Sequence, residues 1–204
     1  LEKPIIGVGG PIPGTRTIAI DDEGAGRLAT SHLISLGHTK IGMISGSPVT
    51  EMDFHQPHLR KTGYQEALLD ANLSFDPRWE AQGDFTVGGG YFAAKQMLGN
   101  PENAPTAIFC ASDEMGFGAI QAARDLGLRV PQDVSVVGID GHPLGEFYGL
   151  STVDQSVHQQ GAKAANTLVD ILESNDPKAQ ENFESMTFWP IDLVVRSSTA
   201  RRTL

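Results

Sequence analysis

Short apolar runs alternate with segments of helical period along nearly the whole chain, and this alternation constrains the fold most. Ile5-Ile6-Gly7-Val8, Ile18-Ala19-Ile20, Ile41-Gly-Met-Ile44, Ala107-Ile-Phe-Cys110 and Val134-Ser-Val-Val137 are too short for helices and read as buried strands. Between them, apolar residues recur at three- and four-residue spacing. Ala25, Leu28, Ala29, Leu33 and Leu36 form one such stripe, closed by Gly37 as a helix C-cap. Leu59 to Ala71 carries Tyr64, Ala67, Leu68 and Ala71 on one face, and Gly88 to Leu98 continues the series. Asp113 is placed to cap a helix ending at Leu126-Gly127, and Val157 to Leu172 marks a longer helix. Weaker strands are expected near Trp79 to Phe85 and from Phe188 to Val195, the latter interrupted by Pro190. The β-α-β order predicts a doubly wound α/β fold with parallel sheets. Ligands in such sheets bind outside the carboxyl ends of the strands, which selects Ser45-Gly46, Ala111-Ser112-Asp113 and Ile139-Asp140.

Charge and composition narrow the function. The 204 residues carry a formal net charge of −10, from 15 Lys and Arg against 25 Asp and Glu, which opposes binding of the chain as a whole to nucleic acid. The one basic cluster, Arg196 with Arg201 and Arg202, is small. Cys110 is the single cysteine, so no internal disulfide is available and a core position is expected. Leu1-Glu-Lys-Pro-Ile-Ile lacks the apolar core of a signal peptide and no run is long enough to span a bilayer, so a cytoplasmic location without membrane contact is expected.

The motifs of common enzyme sites do not complete. Gly7-Val-Gly-Gly10 is followed by Pro11-Ile-Pro13 and reads as a turn rather than a dinucleotide loop. Gly88-Gly-Gly90 lacks the lysine of a phosphate loop and reads as relief of crowding at a helix start. There is no GxSxG elbow. His55 and His58 near Asp53 read as a polar loop rather than a metal site. Asp21-Asp22-Glu23 read as helix-terminal acids that complement the dipole. No catalytic residue, metal or cofactor is expected, because no nucleophile, base and orienting group occur together.

Seven segments, in order, resemble one family. They are Asp21-Asp-Glu-Gly-Ala-Gly-Arg-Leu-Ala29 with His32-Leu-Ile-Ser-Leu-Gly-His-Thr-Lys-Ile41; Arg60-Lys-Thr-Gly63; Gly83-Asp-Phe-Thr86; Pro105-Thr-Ala-Ile-Phe-Cys-Ala-Ser-Asp113; Val130-Pro-Gln-Asp-Val-Ser-Val-Val-Gly-Ile-Asp140; Leu150-Ser-Thr-Val-Asp-Gln155; and Leu193-Val-Val-Arg-Ser-Ser198. Together they are similar to the core of lactose/galactose-repressor transcription regulators. The resemblance implies two lobes like those of periplasmic sugar-binding proteins, and a chain that starts inside the first lobe. The helix-turn-helix head, the hinge and the opening strands of that lobe are then expected to be absent. Residues 1–38 and 154–185 are expected in the incomplete first lobe, 39–153 and 186–197 in the second, and 198–204 in a tail.

The resemblance also implies the site. Arg60 corresponds to an arginine that grips the effector, with a fork suited to adjacent hydroxyls or a carboxylate. Asp140 corresponds to an acidic contact for ligand hydroxyl or amine groups. Phe85 is either an aromatic cover for a sugar face or plain core, and Gln155 either a cleft contact or a structural residue of the crossover. Ser112 stands where many sugar-binding members carry Asn, offering one donor, with Asp113 beside it; Asp113 is read as a helix cap ahead of a direct contact. Gly141 and Ser156 depart from a frequent Asp and a frequent Pro, and the stretch between Asp140 and Gln155 is short for the family.

The expected partners are a sugar-like effector, a second copy of the chain, and operator DNA through the head. Phe117 and Ile120 on the helix after Asp113 form an apolar stripe beyond the one facing the sheet. With Gln121, Phe147 and Tyr148 they are expected at the dimer interface. The alternative of a different class is an extracytoplasmic solute-binding protein feeding a transporter; a third is a small-molecule enzyme on the same sheet.

Overall fold

The structure, a computed structural model, describes residues 3–47, 55–174 and 185–202. The chain divides into two units, Leu1–Asp21 with Gln155–Ile191, and Asp22–Asp154 with Asp192–Leu204.

The first unit holds β1 (Ile6–Val8), β2 (Arg16–Ile20) and β8 (Ser185–Trp189) as a parallel sheet in the order β1-β2-β8, with helix α6 (Val157–Glu173) against β1 and β2. Ile18, Ala19 and Ile20 are buried there. Ile5, Val8, Ile12, Val157, Val169, Leu172, Met186 and Phe188 of this unit stay exposed.

The second unit has a sheet in the order β4-β3-β5-β6-β7-β9, built from β3 (Ile41–Ser45), β4 (Glu80–Gln82), β5 (Ala107–Cys110), β6 (Ser135–Asp140), β7 (Ser151–Asp154) and β9 (Asp192–Val194). All neighbours are parallel except β7 and β9. Helices α1 (Asp22–Ser35) and α2 (Gln56–Asp70) form one pair against the sheet, α3 (Val87–Leu98) and α4 (Asp113–Asp125) another, and the short α5 (Gly145–Tyr148) rests on α4. Every residue of β3 and β5 is buried, as expected of strands covered on both faces. Cys110 lies in this core, where burial pushes its thiol pKa up.

Glycines set how closely α1 and α2 approach. A Cβ on Gly26 would lie 2.2 Å from the Arg60 carbonyl oxygen, and one on Gly63 would lie 2.0 Å from that of Glu23. Backbone therefore meets backbone, and this contact brings Arg60 of α2 to the first turn of α1.

The boundaries differ from those expected in three places. The change of unit comes at Asp21–Asp22, not near Gly37-His38, because α1 packs on α2 and on β5, β6 and β7. The single strand expected from Phe188 to Val195 is two: β8 pairs with β2 in the first unit, Pro190 and Ile191 interrupt, and β9 pairs with β7 in the second. Residues 198–202 are no loose tail: Ser198 Oγ donates to Val136 O at 2.6 Å, Arg202 N donates to Leu36 O at 2.8 Å, and buried His38 Nε2 lies 3.1 Å from Ala200 O.

Candidate functional site

The strand order of the second unit reverses between β3 and β5. Counted from β3, the parallel strands run 2-1-3-4-5, so the crevice between the carboxyl ends of β3 and β5 is the topological switch point. Arg60 reaches this point. Its guanidinium is buried, Nε donates to Asp22 Oδ1 at 2.8 Å, and Nη1 donates at 2.5 Å to the carbonyl of Ala111, the residue that follows β5. Asp140 Oδ1, at the end of β6, lies 3.7 Å from the same Nη1. The arginine is thus fixed between a buried carboxylate, a main-chain carbonyl and a half-exposed carboxylate, which sets the plane of its fork.

Asp140 is held in an unusual backbone conformation, with φ +142, and Gly141 follows with φ +72. Its Oδ2 accepts the Asp113 N–H at 3.2 Å. A Cβ at Gly141 would meet Asp154 Oδ1 at 2.2 Å, and the Gly141 N–H donates to Thr152 Oγ1 at 3.2 Å. Glycine, not a second aspartate, fits that space. Ser156 has φ +53, which excludes the family's proline at that position.

Ser112 is the residue that caps α4: its Oγ accepts the Met115 N–H at 3.4 Å. Asp113, expected as the cap, is instead the first helical residue, with no exposed surface and with Oδ2 accepting the His142 N–H at 2.7 Å. Burial raises its carboxyl pKa to about 6; the His142 N–H, the Thr152 hydroxyl and Arg196 oppose the rise, and Asp140 adds to it. Phe85 sits just past β4 with φ +55, after Asp84 with φ +52, and its half-buried ring lies against Gly46 at the end of β3.

Arg60, Ser112, Asp113 and Asp140 therefore meet at one edge of the second unit, and Phe85 flanks the same crevice. Gln155 belongs to the first unit, where its carbonyl accepts from buried Gln160 Nε2 at 2.7 Å. Asp22 was missed from the sequence as part of the site. An acid in a first helical turn has the same signature whether it caps or pairs, and only the fold shows that it faces Arg60.

The dimer expectation is corrected for two residues. Phe117 is 2% exposed and Ile120 is fully buried within the chain. The Phe117 ring stacks on Tyr148, with centroids 4.5 Å apart, and meets His142 edge-on. Gln121 is exposed and Phe147 is 86% exposed. Asp53 lies outside the described residues; His55 and His58 lie at and in the first turn of α2, and no group of three or more metal-ligating side chains occurs among the described residues.

Residues 30–199 match the model of a periplasmic binding protein-like domain. The chain belongs to this family, and within it to the cores of lactose/galactose-repressor type. It is 36% identical over 190 residues to the HTH-type transcriptional repressor PurR of Haemophilus influenzae, which covers 91% of this chain and 54% of that protein. Against PurR of Aliivibrio fischeri the identity is 35% over 99% of this chain and 58% of the relative. The chain thus spans about half the length of the curated relatives it matches. Among solved structures, a complex of the transcriptional regulator CelR with cellobiose superposes with a TM-score of 0.79 and 32% identity, over 95% of this chain and 58% of that one. A LacI-family regulator from Enterococcus faecium with bound ribose gives 0.83 at 25% identity, over 98% and 72%. No described helix is long and apolar enough to cross a membrane.

Proposed function

We propose that the chain is the effector-binding core of a transcriptional regulator and that it senses a neutral, polyhydroxylated metabolite. One observation carries this reading: Arg60 is locked between Asp22, Ala111 O and Asp140 at the switch point, in a chain whose relatives include repressors and sugar-bound regulators. A fixed fork beside a half-exposed carboxylate supplies donors and acceptors to vicinal hydroxyls, and Phe85 supplies an apolar face for a sugar ring. The relatives' names favour regulation over transport and over catalysis. The effector acts on operator affinity of the whole polypeptide by binding two states of the core unequally. A homodimer through Gln121 and Phe147 accompanies this reading, with Phe117 and Ile120 serving the core behind it.

Charge selects among sugars. Asp22, Asp113 and Asp140 outnumber Arg60 in this crevice, and Asp154 lies beside Gly141. A phosphorylated sugar is therefore expected to bind at least about tenfold more weakly than its neutral parent, ~1.4 kcal/mol. Fluorescence anisotropy of operator DNA with the whole protein tests both parts. Neutral sugars such as ribose and cellobiose are titrated against ribose 5-phosphate and cellobiose phosphate. A response to amino acids or nucleobases alone, or stronger binding of the phosphates, contradicts the proposal.

A further inference from the structure

A fully buried carboxyl that neither caps its helix nor reaches solvent needs another role. Asp113 is bonded on both sides of Gly141: its N–H donates to Asp140 Oδ2 at 3.2 Å, and its Oδ2 accepts the His142 N–H at 2.7 Å. Two bonds thus tie the β5–α4 turn to both sides of Gly141. Asp113 Oδ1 sits over Gly138, where a Cβ would come within 2.2 Å of it. The turn so held contains the φ +142 of Asp140, a conformation that surrounding contacts must maintain in a non-glycine residue.

We propose that Asp113 is a positioning residue: its buried carboxyl holds the Asp140-Gly141-His142 turn so that the Asp140 carboxylate faces Arg60 and the effector. The inference rests on Asp140 as the effector contact. The groups facing Asp113 are Asp140 on β6, Arg196 beyond β9, Cys110 on β5, and the Thr152 hydroxyl on β7. The His142 ring is turned to Phe117, and its Nδ1 accepts the Leu144 N–H at 3.1 Å. The raised carboxyl pKa of about 6 is in keeping with a group kept for its geometry at some cost. Because the folded value lies above the ordinary one, the ionised carboxyl opposes folding, increasingly as pH rises through about 6.

Carbon-13 NMR of the chain tests this without an effector, so its failure and failure of the sugar reading are separable. The Asp113 carboxyl carbon, distinct from the His142 ring, should titrate with a midpoint near pH 6, and Asp140→Asn should lower that midpoint by removing a like charge. The Asp140 Cα shift reports its backbone angle. It should move in Asp113→Ala, and in the same direction in Gly138→Ala, whose methyl displaces Oδ1. It should stay in place in Asp113→Asn, which still accepts the His142 N–H. Asp113→Asn should also melt higher than wild type at pH 7.5, with a smaller gain at pH 4.5. An Asp140 Cα shift indifferent to both alanine variants overturns the proposal.

Discussion

Phe117→Asp is expected to unfold the second unit rather than dissociate a dimer. The ring is 2% exposed, stacked on Tyr148 and against His142, and joined to a core that includes Met115, Ala119 and Ile120. Aspartate removes that packing and leaves a carboxylate without a partner. Loss of a buried phenylalanine side chain alone costs ~3–5 kcal/mol, and an unpaired buried charge adds to it. Urea denaturation should show most or all of the cooperative transition gone. Phe147→Asp is the paired control: at 86% exposure it should leave the unfolding free energy from urea denaturation within about 0.5 kcal/mol while shifting sedimentation toward monomer. A Phe117→Asp protein that stays folded and merely dissociates would restore the interface role expected from sequence.

Arg60→Ala should weaken the fold as well as effector binding. By resemblance Arg60 is a ligand contact; the fold gives it a structural partner as well. In the structure its Nε–Asp22 bond is buried on both sides, with side chains 7% and 6% exposed. Truncation leaves Asp22 as a buried carboxylate without this cation, for which about 3–5 kcal/mol is typical. Asp22→Asn in the Arg60→Ala background should recover part of that loss. Effector affinity should not recover, because the fork is still missing. Full recovery of both, or an unchanged urea midpoint in Arg60→Ala, would contradict the role assigned to the pair.

Features that depend on local pattern were legible, and those that depend on which element lies opposite were not. Ala107 to Cys110 is a strand at its expected bounds because four apolar residues between a proline and a helix cap have few alternatives. Gly37, with φ +89, ends α1 as expected, its neighbour His38 N–H returning to Leu33 O at 3.2 Å. That Ser112, Asp113 and Asp140 lie at the carboxyl ends of strands followed from the β-α order. Their separate roles did not, since Ser and Asp compete for a helix cap and only backbone geometry decides between them. The second apolar stripe of α4 suggested a partner because one sheet was assumed to be its only neighbour. In fact α4 also meets α3, where a Cβ on Gly118 would lie 2.1 Å from Val87 O, and is covered by α5. Pro190 weakened a strand in the sequence; that the strand is divided between two sheets required the pairing partners of each half.

On the proposed reading, ligand is held at the carboxyl ends of β3 to β6 around Arg60 and Asp140. Amide chemical-shift mapping during titration with millimolar neutral sugars, starting with ribose and cellobiose, tests it most directly. Perturbations are expected to centre on Gly46, Phe85, Ala111 to Asp113, and Asp140 to His142. Perturbations centred instead on the groove of about 480 Å³ lined by Pro77, Glu80, Gln82, Phe92 and Gln96, or on the sheet of the first unit, would contradict it.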